Sequence, residues 1–281
     1  MGQYAVPEAL ASTEWVAAHL GDERVVVAEV DYDPASAYQL GHIPGARLID
    51  WKQDINDPVR RDILSRQAFE ALMGRIGATV DSTVVLYGDY RNWFAAFAFW
   101  VFKLYGHRDV RLMNGSRRTW IEQNRPMTDE PAQVKRTEYR AQGPDFGVRA
   151  LLPQVVQALG RPDVALVDVR SPAEFTGQVL APAEYPTEAA QRGGHIPGAV
   201  NIPWASAVAD DDTFKPVEEL RRLYEERGVT PDKAVITYCR IGERSSHTWF
   251  VLKYLLGYGN VVNYDGSWSE WGNAVGLPIE R

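Results

Sequence analysis

One cysteine, Cys239, is all that 281 residues contain. No internal disulfide can form, and no cluster of Cys and His offers the spacing of a structural zinc site. Long apolar runs are scarce as well. The run FAAFAFWVF at 94–102 is about half of the ~20 residues that span a bilayer and reads as a buried helix, so no membrane is expected as a partner. Positive charge is in deficit, with 30 Lys and Arg against 37 Asp and Glu and a net charge of −7. That balance argues against a nucleic-acid groove or a polybasic membrane surface, so any anion site must be made locally. The opening stretch MGQYAVPEALASTEW has no basic region followed by an apolar one, and Val6 stands where a myristoylation signal wants Ser or Thr. The expected location is the cytoplasm.

What is present is a soluble composition, 45% hydrophobic and 24% charged, able to bury a substantial core. It is also written twice. GHIPGARLIDW at 41–51 returns as GHIPGAVNIPW at 194–204, each preceded by an apolar run with an acid two residues before its end, VVVAEVD at 25–31 and VALVDVR at 164–170. Downstream, VVLYG at 84–88 pairs with VITYC at 235–239, and LYGHRDVRLMNGSRRTW at 104–120 pairs with LLGYGNVVNYDGSWSEW at 255–271. A period this long means two tandem domains rather than a solenoid. Short β-branched runs alternate with helical patterns, which predicts an α/β doubly wound fold in each half, with a mainly parallel sheet flanked by helices. The expected division is 1–122, a polar Pro-containing linker at 123–145, and 146–281. The second half carries an insertion around 176–194, expected as a surface loop.

The alignment of the halves sets Cys239 opposite Gly88. A packing role would ask for similar volume in the twin, and glycine supplies none, so chemistry is expected in the second half alone. A lone cysteine is ordinarily a small buried hydrophobe, but here Arg, Ile, Gly, Glu and Arg follow at once. Cys239 ends the strand AVITY and precedes a helix expected to start near Ser245 or Ser246 with a serine N-cap. Open α/β sheets place ligands at that end. Backbone N–H groups turned inward there, with the helix dipole and the cations Arg240 and Arg244, make a concavity for anionic sulfur. The expectation is a thiol lowered by roughly 1.5–2 units from its free value of about 8.5, with Gly242 permitting the tight turn. Asp168, Ser245 and Trp204 are candidates to line the site. His247 is read as capping or packing rather than as a Cys–His partner. His42, His195 and Glu29 recur in both halves or end equivalent strands and are read as structural.

These residues resemble tandem-domain rhodaneses, the thiosulfate sulfurtransferases. The resemblance covers nearly the whole chain and rests on the repeated GHIPGA turn, DVRSPAEF at 168–175, CRIGER at 239–244 and DGSWSEW at 265–271, with CRIGERSSHTWFVL similar to actinobacterial-type members. It implies two similar domains, the first without its cysteine. It implies that Cys239 takes a sulfane sulfur from thiosulfate as a persulfide and passes it to cyanide or a thiol acceptor, with no metal or organic cofactor. The loop Arg240, Ile241, Gly242, Glu243 and Arg244 would bind the substrate. Animal-type enzymes carry lysine where Ile241 stands and arginine where Glu174 stands, so Arg244 must compensate. Mercaptopyruvate sulfurtransferases have a small uncharged loop, and the charged CRIGER favours thiosulfate. A related phosphatase needs five residues between cysteine and arginine, and here there are four. A non-enzymatic binding module describes residues 1–122 better than the half with the thiol. The sequence leaves oligomeric state and physiological acceptor open.

Overall fold

The computed structural model of the protein describes residues 2–181 and 190–281; residues 182–189 of the insertion expected as a surface loop lie outside the described residues. The first sheet contains β1 (Leu10–Ser12), β2 (Val25–Asp31), β3 (Arg47–Asp50), β4 (Thr83–Tyr87) and β5 (Val110–Asn114), in the order β1-β5-β4-β2-β3. The second contains β6 (Arg149–Ala150), β7 (Val164–Asp168), β8 (Val200–Asn201), β9 (Ala234–Tyr238) and β10 (Val261–Tyr264), in the same order, β6-β10-β9-β7-β8. All pairings are parallel. Parallel sheets need both faces covered, and the buried runs of β2, β4, β7 and β9 meet that need. The helix Trp93–Leu104, apolar almost all round, is buried at ten named positions from Phe94 to Leu104, as a helix without a polar face must be. None of the described helices is long and apolar enough to cross a membrane.

The topology creates a particular place in each sheet. In the first, β2 and β4 are neighbours whose onward connections leave in opposite directions, and β7 and β9 repeat this in the second. Their carboxyl ends therefore open a crevice between diverging loops. Equivalent registers, Glu29 beside Tyr87 and Asp168 beside Tyr238, fix which residues stand at that mouth.

The repeated GHIPGA turn has a structural explanation. The amide of Ile43 donates to the Tyr87 hydroxyl at 3.0 Å, and the amide of Ile196 donates to the Tyr238 hydroxyl at 3.1 Å. His42 stacks on Tyr38 at 3.7 Å with its Nδ1 2.9 Å from the Tyr38 carbonyl, while His195 stacks on Phe175 at 3.6 Å with its Nδ1 2.9 Å from the Phe175 carbonyl. The tyrosines hold the turns to the sheet, and the histidines tie them to Tyr38 and Phe175.

Two compact units result. Residues 8–145 form one with Asp210–Phe214, and the other takes Phe146–Ala209, Lys215–Arg281 and the amino-terminal residues up to Pro7. The polar stretch 123–145 straps the first unit: Thr128 and His42 exchange backbone hydrogen bonds, Thr137 donates to the Gly74 carbonyl at 3.1 Å, and Ala141 donates to Glu70 at 2.9 Å. Within that unit Asp212, almost fully buried, accepts from Ser116 at 2.5 Å and from Arg118 at 2.6 Å and pairs with Arg91 at 3.0 Å. A buried carboxylate requires such partners.

At Gly88 the two sheets part company. A Cβ there would lie 2.6 Å from the Val30 carbonyl oxygen, so the backbone has closed into the volume that a thiol would need. The next turn places Tyr90, Arg91 and Asn92 in the left-handed region, with φ of 51°, 56° and 66°. Gly88→Ala is expected to destabilise the protein by about 1–3 kcal/mol through overpacking, read from the midpoint of urea unfolding. An unchanged midpoint would show that β2 yields to the added methyl.

Candidate active site

β9 delivers Cys239 to the mouth of the second sheet, and its backbone is clamped from the DGSWSEW segment. The Cys239 amide donates to Ser267 Oγ at 3.0 Å, and the Cys239 and Arg240 carbonyls accept from the amides of Trp268 and Ser269 at 3.1 and 3.0 Å. Ser267 holds this position at φ +53°, a conformation that costs a non-glycine residue about 1–3 kcal/mol and persists only where surroundings enforce it. Gly242 sits at φ +100°, and a Cβ there would lie 2.8 Å from Asp265 Cα and Cβ; no other residue fits the turn without moving the backbone.

The helix begins two residues before the expected start, running Glu243–Phe250 with left-handed Gly242 as its N-cap and no side-chain cap. The physical reason is that the serines are used elsewhere. Ser246 Oγ donates to the Gly242 carbonyl at 2.7 Å, and Ser245 Oγ lies 2.6 Å from Asn263 Oδ1. Asn263 in turn donates to Ser246 Oγ at 2.9 Å and to the Gly242 carbonyl at 3.2 Å. This buried network holds the loop from below. Asn263 was not singled out from the sequence, although a lone amide inside the apolar strand VVNY was the available signal.

The Cys239 sulfur is fully buried, yet its neighbours are polar. It accepts from the Gly242 amide at 3.1 Å, donates to Glu243 Oε2 at 3.3 Å and lies 3.6 Å from Ser245 Oγ. The expected low thiol is not found. Burial first, and the Glu243 carboxylate second, push the Cys239 thiol up, and Arg244 and Ser245 only partly oppose them. Desolvation disfavours the anion, and a carboxylate at hydrogen-bond distance does the same.

Arg244 is also differently placed than a free anion receptor would be. Its guanidinium is buried and grips Glu174 with two hydrogen bonds of 2.9 and 3.0 Å, while Nε lies 3.6 Å from Glu243. Burial alone would raise the Glu174 acid, but Arg244 more than offsets it and holds that carboxyl down at about 2. Arg240, also buried, lies 3.9 Å from Glu243. Two guanidinia thus face two carboxylates, so positive charge does not dominate. Ile241 is buried in the loop. Of the proposed lining residues, Ser245 reaches the sulfur. Asp168 instead holds the buried Arg170, at 2.6 Å, which lies over the Trp268 ring at 4.6 Å. Trp204 packs edge-on against His247, with centroids 5.3 Å apart. Among the described residues no group of His, Cys, Asp and Glu has an arrangement that could hold a metal ion.

A family model described as "Rhodanese-like domain" matches residues 12–123 and 152–274. A Thermus thermophilus protein named "Sulfur carrier protein TtuD" is 55% identical, with 99% of this chain and 98% of that one covered. A Saccharopolyspora erythraea protein named "Putative thiosulfate sulfurtransferase" is 54% identical over 98% of this chain and 96% of its own. Among solved structures, an EanB variant in complex with ergothioneine aligns with a TM-score of 0.88 at 26% identity, covering 100% of this chain and 71% of that one.

Two outcomes check the electrostatics. Glu243→Gln is expected to move the ultraviolet thiolate titration of Cys239 to lower pH, because a carboxylate beside the sulfur is removed; a move to higher pH would mean that Glu243 supports the thiolate. Glu174→Gln is expected to cost about 3 kcal/mol at neutral pH, since it leaves Arg244 buried without its counter-charge. A depressed carboxyl stabilises the fold above its unfolded value and loses that contribution as pH falls through its folded value. The gap between wild type and variant in thermal melts should therefore close between about pH 4.5 and 2. A gap independent of pH would place the effect in packing.

Proposed function

Because the chain belongs to the rhodanese-like family, in two tandem domains, we propose that it is a thiosulfate sulfurtransferase in which Cys239 carries the sulfur as a persulfide. The observation that carries the reading is the Cys239 sulfur held 3.1 Å from the Gly242 amide at the carboxyl end of β9. The thiol proton passes to Glu243 Oε2, its hydrogen-bond acceptor. The thiolate then attacks the sulfane sulfur of thiosulfate. A new S–S bond forms as the bond to the sulfonate sulfur breaks, and sulfite leaves with the bonding pair. Cyanide or an acceptor thiolate next attacks the outer sulfur and releases the Cys239 thiolate.

The loop amide and the start of helix Glu243–Phe250 receive the charge on sulfur, and preorganised donors of this kind lower the barrier where charge develops. Arg240 and Arg244 set two guanidinia at the loop for a dianionic donor, partly offset by Glu243 and Glu174, and Glu174 fixes the orientation of Arg244. The carrier name of the Thermus relative agrees with sulfur held on the protein between donor and acceptor.

Protein incubated with thiosulfate is expected to gain the mass of one sulfur on Cys239 and to lose it to cyanide, whereas Cys239→Ser gains none. Unchanged intact mass would overturn the reading. Mercaptopyruvate and a phenyl phosphate belong beside thiosulfate in the same assay, since faster turnover of mercaptopyruvate would reassign the donor and turnover of the phosphate would reassign the reaction.

A further inference from the structure

The crevice of the first sheet keeps the strand order of the second and carries a different set of charges. The matching registers of β2 with β4 and of β7 with β9 carry Asp31 onto the position of Arg170. The alignment of Gly88 with Cys239 carries Asp89 onto the position of Arg240 and Arg117 onto that of Trp268. Two arginines at the sulfur-bearing mouth thus have aspartates as their counterparts. The cavity between the carboxyl ends of β2 and β4 measures about 100 Å³ and is lined by Asp31, Asp33 and Asp89 with the aromatic rings of Tyr32, Tyr90 and Phe94.

Asp31 is the group that calls for a ligand. The residue is 2% exposed; its Oδ2 accepts from the Tyr38 amide at 3.1 Å, and its Oδ1, buried in the cavity wall, has no hydrogen-bond donor among the described residues. Buried carboxylate oxygens are ordinarily satisfied, and leaving one without a donor is costly. Arg117, whose charge acts on Asp31, does not fill the role. Arg117 is committed to Glu29 at 3.1 Å and to the Gly41 carbonyl at 2.6 Å, and it stands 4.0 Å from Asp89. Burial and the facing Asp89 carboxylate push the Asp31 acid up, with Asp50 adding to this and Arg117 opposing it. This is how a carboxylate without a counter-ion behaves.

We infer that this cavity binds a small organic cation, an ammonium or guanidinium group, with Asp31 and Asp89 as its counter-ions. A cavity of this size has room for such a head group. Aromatic walls favour an organic cation over a hydrated metal, and among the described residues no metal-ligating arrangement is present. The chain's own Lys52 ammonium already rests 3.6 Å from the Tyr32 ring centroid, as expected of a surface whose field attracts cations.

The test is calorimetric titration of the full-length protein with cadaverine and with agmatine at neutral pH, with magnesium chloride at matched ionic strength as a third titrant. Saturable binding of at least one amine is expected, weakened about tenfold or more in Asp31→Asn and in Asp89→Asn, and unchanged in Asp129→Asn. Asp31→Asn retains an acceptor for the Tyr38 amide, and circular dichroism checks its fold. Should that variant unfold, the more exposed Asp89→Asn decides alone. Absence of saturable amine binding, equal affinity in wild type and Asp89→Asn, or magnesium binding as strong as amine binding would each overturn the inference. Sulfur loading on Cys239, measured in the same preparations, is expected to be the same in both variants as in wild type. Its failure in wild type would strike the sulfurtransferase reading and leave amine binding standing.

Discussion

The Gly242 amide points at the Cys239 sulfur from 3.1 Å, and that contact exists only because the loop between them is held in a conformation it would not adopt alone. Gly242 is left-handed against Asp265, Ser267 is left-handed beneath the Cys239 amide, and Asn263 ties the Gly242 carbonyl to Ser246. Each of these is a backbone or buried polar commitment, stable only when all are made together. The sulfur is thereby withdrawn from water without being left among aliphatic groups. A thiol so placed resists ionisation until a partner takes its proton, and Glu243 is within reach to do so.

The same sheet topology serves two different electrostatic ends. Both crevices lie between strands whose connections diverge, and both are anchored by a tyrosine hydroxyl that receives an amide from the GHIPGA turn. Above that shared frame the side chains are free to differ. Around Cys239, arginines and glutamates nearly cancel; around Gly88, Asp31 and Asp89 stand near an arginine, Arg117, that is committed to Glu29. The frame is conserved between the halves of this one chain because it is fixed by main-chain pairing and packing, whereas the mouth is decided by a few residues on loops.

Much of this was legible in the sequence because it rests on patterns that survive without coordinates. The tandem repeat, the alternation of β-branched runs with helical segments and the missing partner for Cys239 opposite Gly88 all follow from spacing along the chain. The helix start was misread because Ser245 and Ser246 are good caps in isolation, and only the position of Asn263 on a neighbouring strand shows that their hydroxyls are engaged. The thiol was misread for a related reason. Arg240 and Arg244 follow it closely, but Glu174, distant in sequence, grips Arg244, and Glu243 turns its carboxylate to the sulfur.

The sequence alone therefore determined the number of domains, the parallel α/β architecture, the family and the place of the lone cysteine at a strand end, since each depends on local periodicity, repetition or residue identity. Tertiary structure decided the charge state of both mouths. Electrostatic energy depends on distances and burial, and those are set by which strands lie side by side, as when Glu174 meets Arg244 or when Asp31 and Asp89 face each other across β2 and β4.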